Sequence, residues 1–168
     1  MDFTPGAFYF LKDSFFEKVN ERFLKCNYET TKRPHYFAFK DDNTSLYWLV
    51  PCSSRTEKFE RIIKDKKECN KPTDGIKIVR VRDRKQVLLF QDMFPTTVDY
   101  IKNPYVKDGQ LVRIESQALV AELNKNANNV RIKLLKGVKF TPTQPNVQRI
   151  EKLMLAELAR QPLPPPQK

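Results

Sequence analysis

The hydrophobic rhythm of this chain changes at Pro51. From Leu46 to Val50 the residues are aromatic or aliphatic and carry no charge, the pattern of a buried strand. Proline removes a ladder donor and is predicted to stop that strand. Ser53 and Ser54 follow, and after Arg55 the apolar residues Phe59, Ile62 and Ile63 recur at helical spacing. The pattern predicts a strand, a proline stop, a Ser-Ser turn and a helix running to about Lys67. Such a junction puts two hydroxyls and unpaired backbone N–H groups at a helix N-terminus, with Arg55 and Lys58 in the first turn. That terminus favours anions such as phosphate. A second reading stays open: Ser53 or Ser54 is the helix N-cap and Glu57 completes a capping box, which does not forbid a phosphate site.

Upstream, Phe3, Phe8, Tyr9 and Phe10 predict a first strand. Phe15, Phe16, Val19 and Phe23 then fall at helical spacing between Lys12 and Cys26, with Asp13 or Ser14 as cap. Residues 27–33 are polar and predict a loop. His35 to Phe39 alternates, with His35, Phe37 and Phe39 on one side and Tyr36 and Ala38 on the other. Asp41-Asp42-Asn43 turns the chain back into Leu46–Val50, which makes a hairpin. The start of one antiparallel strand lies beside the end of its partner. His35 is therefore predicted beside Pro51, converging in space with Ser53 and Ser54.

Downstream, Ile76–Val81 and Val87–Phe90 predict a second hairpin around Asp83-Arg84-Lys85. Gln91–Thr97 reads as a short extended piece, and Tyr100–Gly109 as a short helix and loop. Leu111–Leu135 reads as one helix with a polar middle or as two pieces, with Gly137 at the C′ position of its end. Val138–Phe140 is predicted as a last strand. Asn146 is predicted to cap a final helix whose stripe is Val147, Ile150, Leu153, Met154 and Leu158. Residues 162–168 form a proline-rich tail that cannot fold alone. The predicted architecture is α+β: a compact, barrel-like antiparallel sheet with several helices packed outside it.

Charge narrows the function. The chain has 168 residues, enough for one domain, and a net charge of +11. That balance argues for a polyanionic partner, nucleic acid first and a membrane surface second. No apolar run approaches the roughly 20 residues of a bilayer span, and no signal peptide is expected. Cys26, Cys52 and Cys69 are odd in number and scattered, which fits a reduced cytosol better than a disulfide framework. With a single histidine, no site using two histidines as acid and base can be built within one copy. No compact Asp/Glu cluster of the kind that holds magnesium pairs is present either. An enzyme of this composition acting on RNA is expected to work without metal or other cofactor.

Four segments carry a resemblance. They are Pro34-His35-Tyr36-Phe37, Leu49-Val50-Pro51-Cys52-Ser53-Ser54, the stretch Val87–Pro95 and the helix that begins at Asn146. Together they resemble the endoribonuclease toxins of bacterial type III toxin–antitoxin systems, the ToxN/AbiQ/CptN family, nearest to the CptN branch. Order and spacing agree over most of residues 7–160. The resemblance implies an SH3-like barrel elaborated by helices, in one toxin domain over residues 1–161. It implies metal-independent cleavage of RNA in adenine-rich contexts, by 2′-OH attack to a 2′,3′-cyclic phosphate. The implied partner is a small pseudoknotted antitoxin RNA, held in a closed assembly and cut by the toxin from its own repeat precursor. Free toxin would then degrade cellular mRNA in the bacterial cytoplasm and stop growth or abort phage infection.

The Thr/Ser-Ser pair of related toxins falls on Ser53 and Ser54. The basic residue after their strand-start proline falls on His35, an altered type. Their lysine two residues past the second hydroxyl falls on Thr56, with Arg55 and Lys58 on either side. Where some relatives have an N-terminal tyrosine this chain has Phe15, with Tyr9 as a substitute. His35 would serve as acid or base, because its reference pKa lies near neutrality. Arg55 or Lys58 and the helix terminus would stabilise the phosphorane, while Ser53 and Ser54 orient phosphate or ribose. Lys32, Arg33, Arg61, Lys64, Lys66 and Lys67 would bind RNA through phosphates. Tyr47, Trp48 and Phe37 fit the core better than base stacking. Two other classes compete: a non-catalytic RNA-binding module, and an interaction protein whose proline tail recruits a partner.

Overall fold

The computed structural model describes residues 1–162, and among them the regular structure comprises nine strands, four α-helices and two single-turn 3-10 helices, Phe90–Asp92 and Val98–Tyr100. In chain order the strands and α-helices are β1 (Phe8–Leu11), α1 (Asp13–Val19), β2 (His35–Lys40), β3 (Tyr47–Ser53), α2 (Thr56–Glu68), β4 (Lys77–Val81), β5 (Arg84–Leu88), β6 (Phe94–Thr96), β7 (Ile101–Pro104), β8 (Val106–Lys107), β9 (Gln110–Leu111), α3 (Gln117–Leu135) and α4 (Val147–Arg160). The proline-rich tail lies, from residue 163 on, outside the described residues.

The fold is α+β, built on an antiparallel sheet of order β4-β5-β3-β2-β1-β7, with β6 also paired to β3. Among the described residues the pairing does not close, with β4, β7 and β6 as end strands, so no closed barrel of the expected SH3-like kind is found. Helices cover both faces. On one, Tyr36, Trp48, Val50 and Cys52 pack with Val120, Leu123, Ala127 and Val130 of α3. On the other, Tyr9, Phe37, Leu49 and Phe94 pack with Phe15 of α1 and with Ile150 and Met154 of α4. Strand residues alternate between these two apolar layers, which is why β3 reads as an unbroken apolar run rather than an alternating one.

Pro51 does not end β3. On one edge β3 pairs with β6 through Tyr47–Leu49 and with β5 through Cys52–Ser53. Pro51 sits where those partners change, so its missing N–H breaks no pair, and its carbonyl still accepts from Leu89 N at 3.0 Å. On the other edge His35 pairs with Pro51, as the hairpin predicts. The alternation along β2 fails at one place: the register shifts between Phe37 and Phe39, so Phe39 joins Tyr36 and Ala38 on the α3 side.

Three other segments depart from their sequence reading, and a fourth takes one of the two forms left open for it. Helix α1 stops at Val19, because Asn20 takes a left-handed conformation (φ 46°) and ends it. Residues 101–111 form β7 and the β8–β9 hairpin, not a helix. Lys107 pairs with Gln110 across Asp108-Gly109, both at positive φ (54° and 72°), the turn that an Asp-Gly pair favours. Helix α3 is one piece, capped by Ser116, whose Oγ accepts from Leu119 N at 3.2 Å. After it, Val138–Phe140 is turn rather than strand. Gly137 N donates to Leu134 O and Val138 N to Lys133 O, each at 3.0 Å, which closes the helix in a Schellman motif around the predicted glycine. The Asn146 cap of α4 forms as read, its Oδ1 accepting from Arg149 N at 3.1 Å.

Candidate functional site

The end of β3 and the start of α2 are fixed from two directions. Ser53 pairs with Val87 of β5, and its carbonyl accepts from Gln86 Nε2 at 3.0 Å. Phe59, in the first turns of α2, packs with Val87 and Leu89, and Ile62 and Ile63 extend that contact along the helix. The junction between them is therefore rigid, and it carries Ser53, Ser54 and Arg55. Neither serine caps the helix in the expected way. The N-cap residue is Arg55, without a side-chain cap, and no capping box with Glu57 forms. Ser53 Oγ accepts from Arg55 N at 3.3 Å, and the exposed Ser54 hydroxyl makes no hydrogen bond among the described residues. Thr56 N donates to Ser54 O at 2.9 Å, while the Glu57 and Lys58 N–H groups have no acceptor within the helix.

Arg33 closes the junction from the loop that precedes β2. It is buried, with Nη1 donating to Cys52 O at 2.6 Å and Nε to Cys26 O at 3.1 Å. Its backbone N donates to Asn27 Oδ1 at 3.0 Å. The guanidinium lies 4.6 Å from the centre of the Tyr28 ring. Lys25, Tyr28, Arg33, Ser53, Arg55 and Lys58 then surround a cavity of about 160 Å³, with Phe59 and Leu89 as its apolar lining. Beside it, Ser54, Arg55, Thr56, Glu57, Lys58 and Arg61 line an open groove of about 400 Å³. Arg55 and Lys58 belong to both. Among the described residues none of Lys25, Arg33, Arg55, Lys58 and Arg61 forms an ion pair. Five cations gathered with little compensation make a site for an anion.

The structure thus brings Ser53, Ser54, Arg55 and Lys58 together with Arg33 and Arg61, and leaves other residues out. Lys32 is paired with Asp13, and Lys64 with Glu68 at 3.9 Å. Lys66 and Lys67 lie in the last turn of α2, about 12 Å along the axis from Lys58. Tyr9 is buried and its Oη accepts from Thr4 N, so it does not substitute for a site tyrosine. Trp48 and Phe37 are buried in the two cores, as their pattern indicates.

His35 departs most from its expected role. The backbone lies beside Pro51 as predicted, yet the imidazole points inward and is 0% exposed. Phe16 and Phe94 flank it at 6.3 and 5.6 Å between ring centres; neither ring nitrogen makes a well-formed hydrogen bond, and the nearby backbones of Arg33 and Tyr9 only partly oppose the effect of burial. Burial depresses its pKa to about 3, and the neighbouring Arg33 charge acts in the same direction. A neutral, sealed imidazole cannot exchange protons with RNA in this conformation.

Lys25, Tyr28 and Asp92 escaped the sequence reading. Asp92 ends the helical turn Phe90–Asp92 just after Leu89 and is buried. Burial pushes its carboxyl up to about 6, against the pull of Lys25 and Arg33. No local signal marks Lys25 or Tyr28, since a loop folding back on a strand end is a tertiary event. Among the described residues no group of three or more His, Cys, Asp or Glu could hold a metal ion, and no helix is long and apolar enough to cross a membrane.

No protein-family model and no curated protein matches this chain. Its fold does match a solved structure, that of AbiQ, a lactococcal anti-phage endoribonuclease belonging to the type III toxin–antitoxin system. The TM-score is 0.69 at 13% identity, covering 92% of this chain and 98% of AbiQ. The chain therefore has the fold of a type III toxin over nearly its whole length. The mixed α+β architecture agrees with the expectation drawn from its four sequence segments, while the closed SH3-like barrel is not found among the described residues.

Proposed function

We propose that this chain is the endoribonuclease toxin of a type III toxin–antitoxin system. The observation that carries the reading is the convergence of Ser53, Ser54, Arg55 and Lys58 with Lys25 and Arg33 at the end of β3. The fold it shares with AbiQ supports the same class of activity.

In this reading a single-stranded RNA phosphate sits against Arg55, Lys58 and the first N–H groups of α2. The adjacent ribose 2′-OH attacks phosphorus, the 2′-O–P bond forms and the P–O5′ bond breaks. The products end in a 2′,3′-cyclic phosphate and a 5′-OH. Cations and amide groups aimed at the equatorial oxygens stabilise the phosphorane more than the starting diester. Ser53 and Ser54 orient phosphate and ribose. The Lys58 ammonium is placed to hand a proton to O5′, and the 2′-OH proton passes to water. His35 supports the β2–β3 strand ends from within and transfers no proton. No metal is required. The RNAs acted on are A-rich cellular transcripts and the repeat precursor of a small pseudoknotted antitoxin RNA. The mature antitoxin occupies the same cationic surface and inhibits the toxin.

A non-catalytic RNA-binding role is the second reading, and the burial of the only histidine favours it. Incubating the purified chain with A-rich RNA in EDTA separates the two. Cleavage to 2′,3′-cyclic phosphate and 5′-OH ends supports the nuclease. Salt-sensitive binding without cleavage supports the binding module.

A further inference from the structure

The cationic cavity has one wall that phosphate binding does not use. Tyr28 stands on it at 51% exposed. The chain has 12 phenylalanines, six tyrosines and one tryptophan, and Tyr28 alone among them is exposed. No other ring packs against it. One face of the phenol ring is covered by the Arg33 guanidinium at 4.6 Å. That guanidinium cannot swing away, because its Nη1 and Nε are held by the Cys52 and Cys26 carbonyls. The ring is thus braced on its inner face and open on its outer one, at the rim of a cavity ringed by unpaired lysines and arginines.

We propose that Tyr28 is a nucleobase platform: an unstacked RNA base lies on its outer face while the flanking phosphate is held by Arg55 and Lys58. This deepens the RNA-cleaving reading and rests on it. Aromatic faces bind bases without reading their edges, and each such stack typically contributes about 1–3 kcal/mol. The cationic backing draws electron density from the ring and fixes its tilt. The larger π-face of a purine gains more than that of a pyrimidine, so Tyr28 favours purines at one nucleotide position. A ring left exposed in a molecule whose other rings are buried or half-buried has a use in contact with a partner, and the surrounding charge selects a polyanion that carries flat apolar groups.

The test is a thermodynamic cycle between one side chain and one base. Short A-rich RNAs with 2′-O-methyl groups, which block cleavage, each carry an abasic site at a different position. Their affinities are measured for the wild-type chain, Tyr28→Phe and Tyr28→Ala, with melting curves to confirm folding. The expected result is one position where removing the base weakens wild-type and Tyr28→Phe binding by about tenfold but weakens Tyr28→Ala binding by less than about twofold. Equal losses in all three proteins at every position would overturn the platform while leaving RNA binding intact. Absence of salt-dependent binding by the wild-type chain would overturn the RNA reading itself.

Discussion

His35 and Pro51 face each other across the β2–β3 ladder, and the His35 imidazole is sealed behind them with neither nitrogen in a well-formed hydrogen bond. The unfolded chain takes up a proton on this residue below about pH 6.5. The folded chain does not do so until about pH 3. The unfolded state therefore binds more protons in that window, and stability contributed by neutral His35 is lost as pH falls from about 6.5 towards 3. Replacing it by His35→Phe removes this loss, measured as a urea midpoint that rises relative to wild type on mild acidification. RNA cleavage by His35→Phe at neutral pH is expected to stay within about threefold of wild type, because no proton passes through the ring.

Asp92 works in the opposite direction. Burial raises its folded pKa to about 6, above the ordinary aspartate value of about 3.8. Its contribution to stability is present below about pH 3.8 and is lost as pH rises through 6. Asp92→Asn is expected to stabilise the protein above pH 6, by on the order of 2–3 kcal/mol, and to change little near pH 3.5. Between about pH 6 and 4 the two residues nearly cancel in the wild type. The variant pair separates them: Asp92→Asn shows a steeper acid loss, His35→Phe a gain on mild acidification. Parallel stability profiles for wild type and both variants would disprove the assignment.

Arg55 and Lys58 line both the cavity and the neighbouring groove and lack carboxylate partners among the described residues. Arg55→Ala or Lys58→Ala is expected to slow RNA cleavage by about a hundredfold or more, with little change in melting temperature. Lys67→Ala, at the far end of α2, is expected to change cleavage by less than about twofold. Initial rates on one labelled RNA at fixed salt decide this.

Arg33 is expected to be irreplaceable by lysine. Its fork spans the Cys52 and Cys26 carbonyls, and a single ammonium cannot reproduce both bonds. Arg33→Lys is expected to destabilise the fold by about 1–3 kcal/mol in urea titration. It also frees the Tyr28 ring, so amide exchange over residues 25–33 accelerates.

The β2–β3 hairpin, the cap of α4 and the Ser-Ser junction were legible because each has a local cause: apolar alternation, an asparagine before an amphipathic stripe, and hydroxyls at a helix start. Residues 101–111 misled because Pro104 and Gly109 read as helix breakers, while the Asp108-Gly109 turn signal went unread. The direction of His35 was not legible. Strand pairing fixed its backbone, but which face is sealed depends on Phe16 and Phe94, distant in sequence. The loop carrying Lys25 and Tyr28 reaches the site through backbone carbonyls, which every sequence possesses and none displays.

The change of partners at Pro51 has a consequence for how the site moves. Ser53 is paired with Val87 and its strand is held on the other edge up to Pro51, so its amide should exchange far more slowly than those of the loop. Tyr28 and Lys25 belong to a loop tied down by a few side-chain bonds from Arg33 and Asn27. The cavity therefore has a stiff half and a compliant half. In the proposed binding mode phosphate meets the half that does not yield, while a purine settles on the loop that carries Tyr28, so the cleft can take up its base without disturbing the geometry at the phosphate.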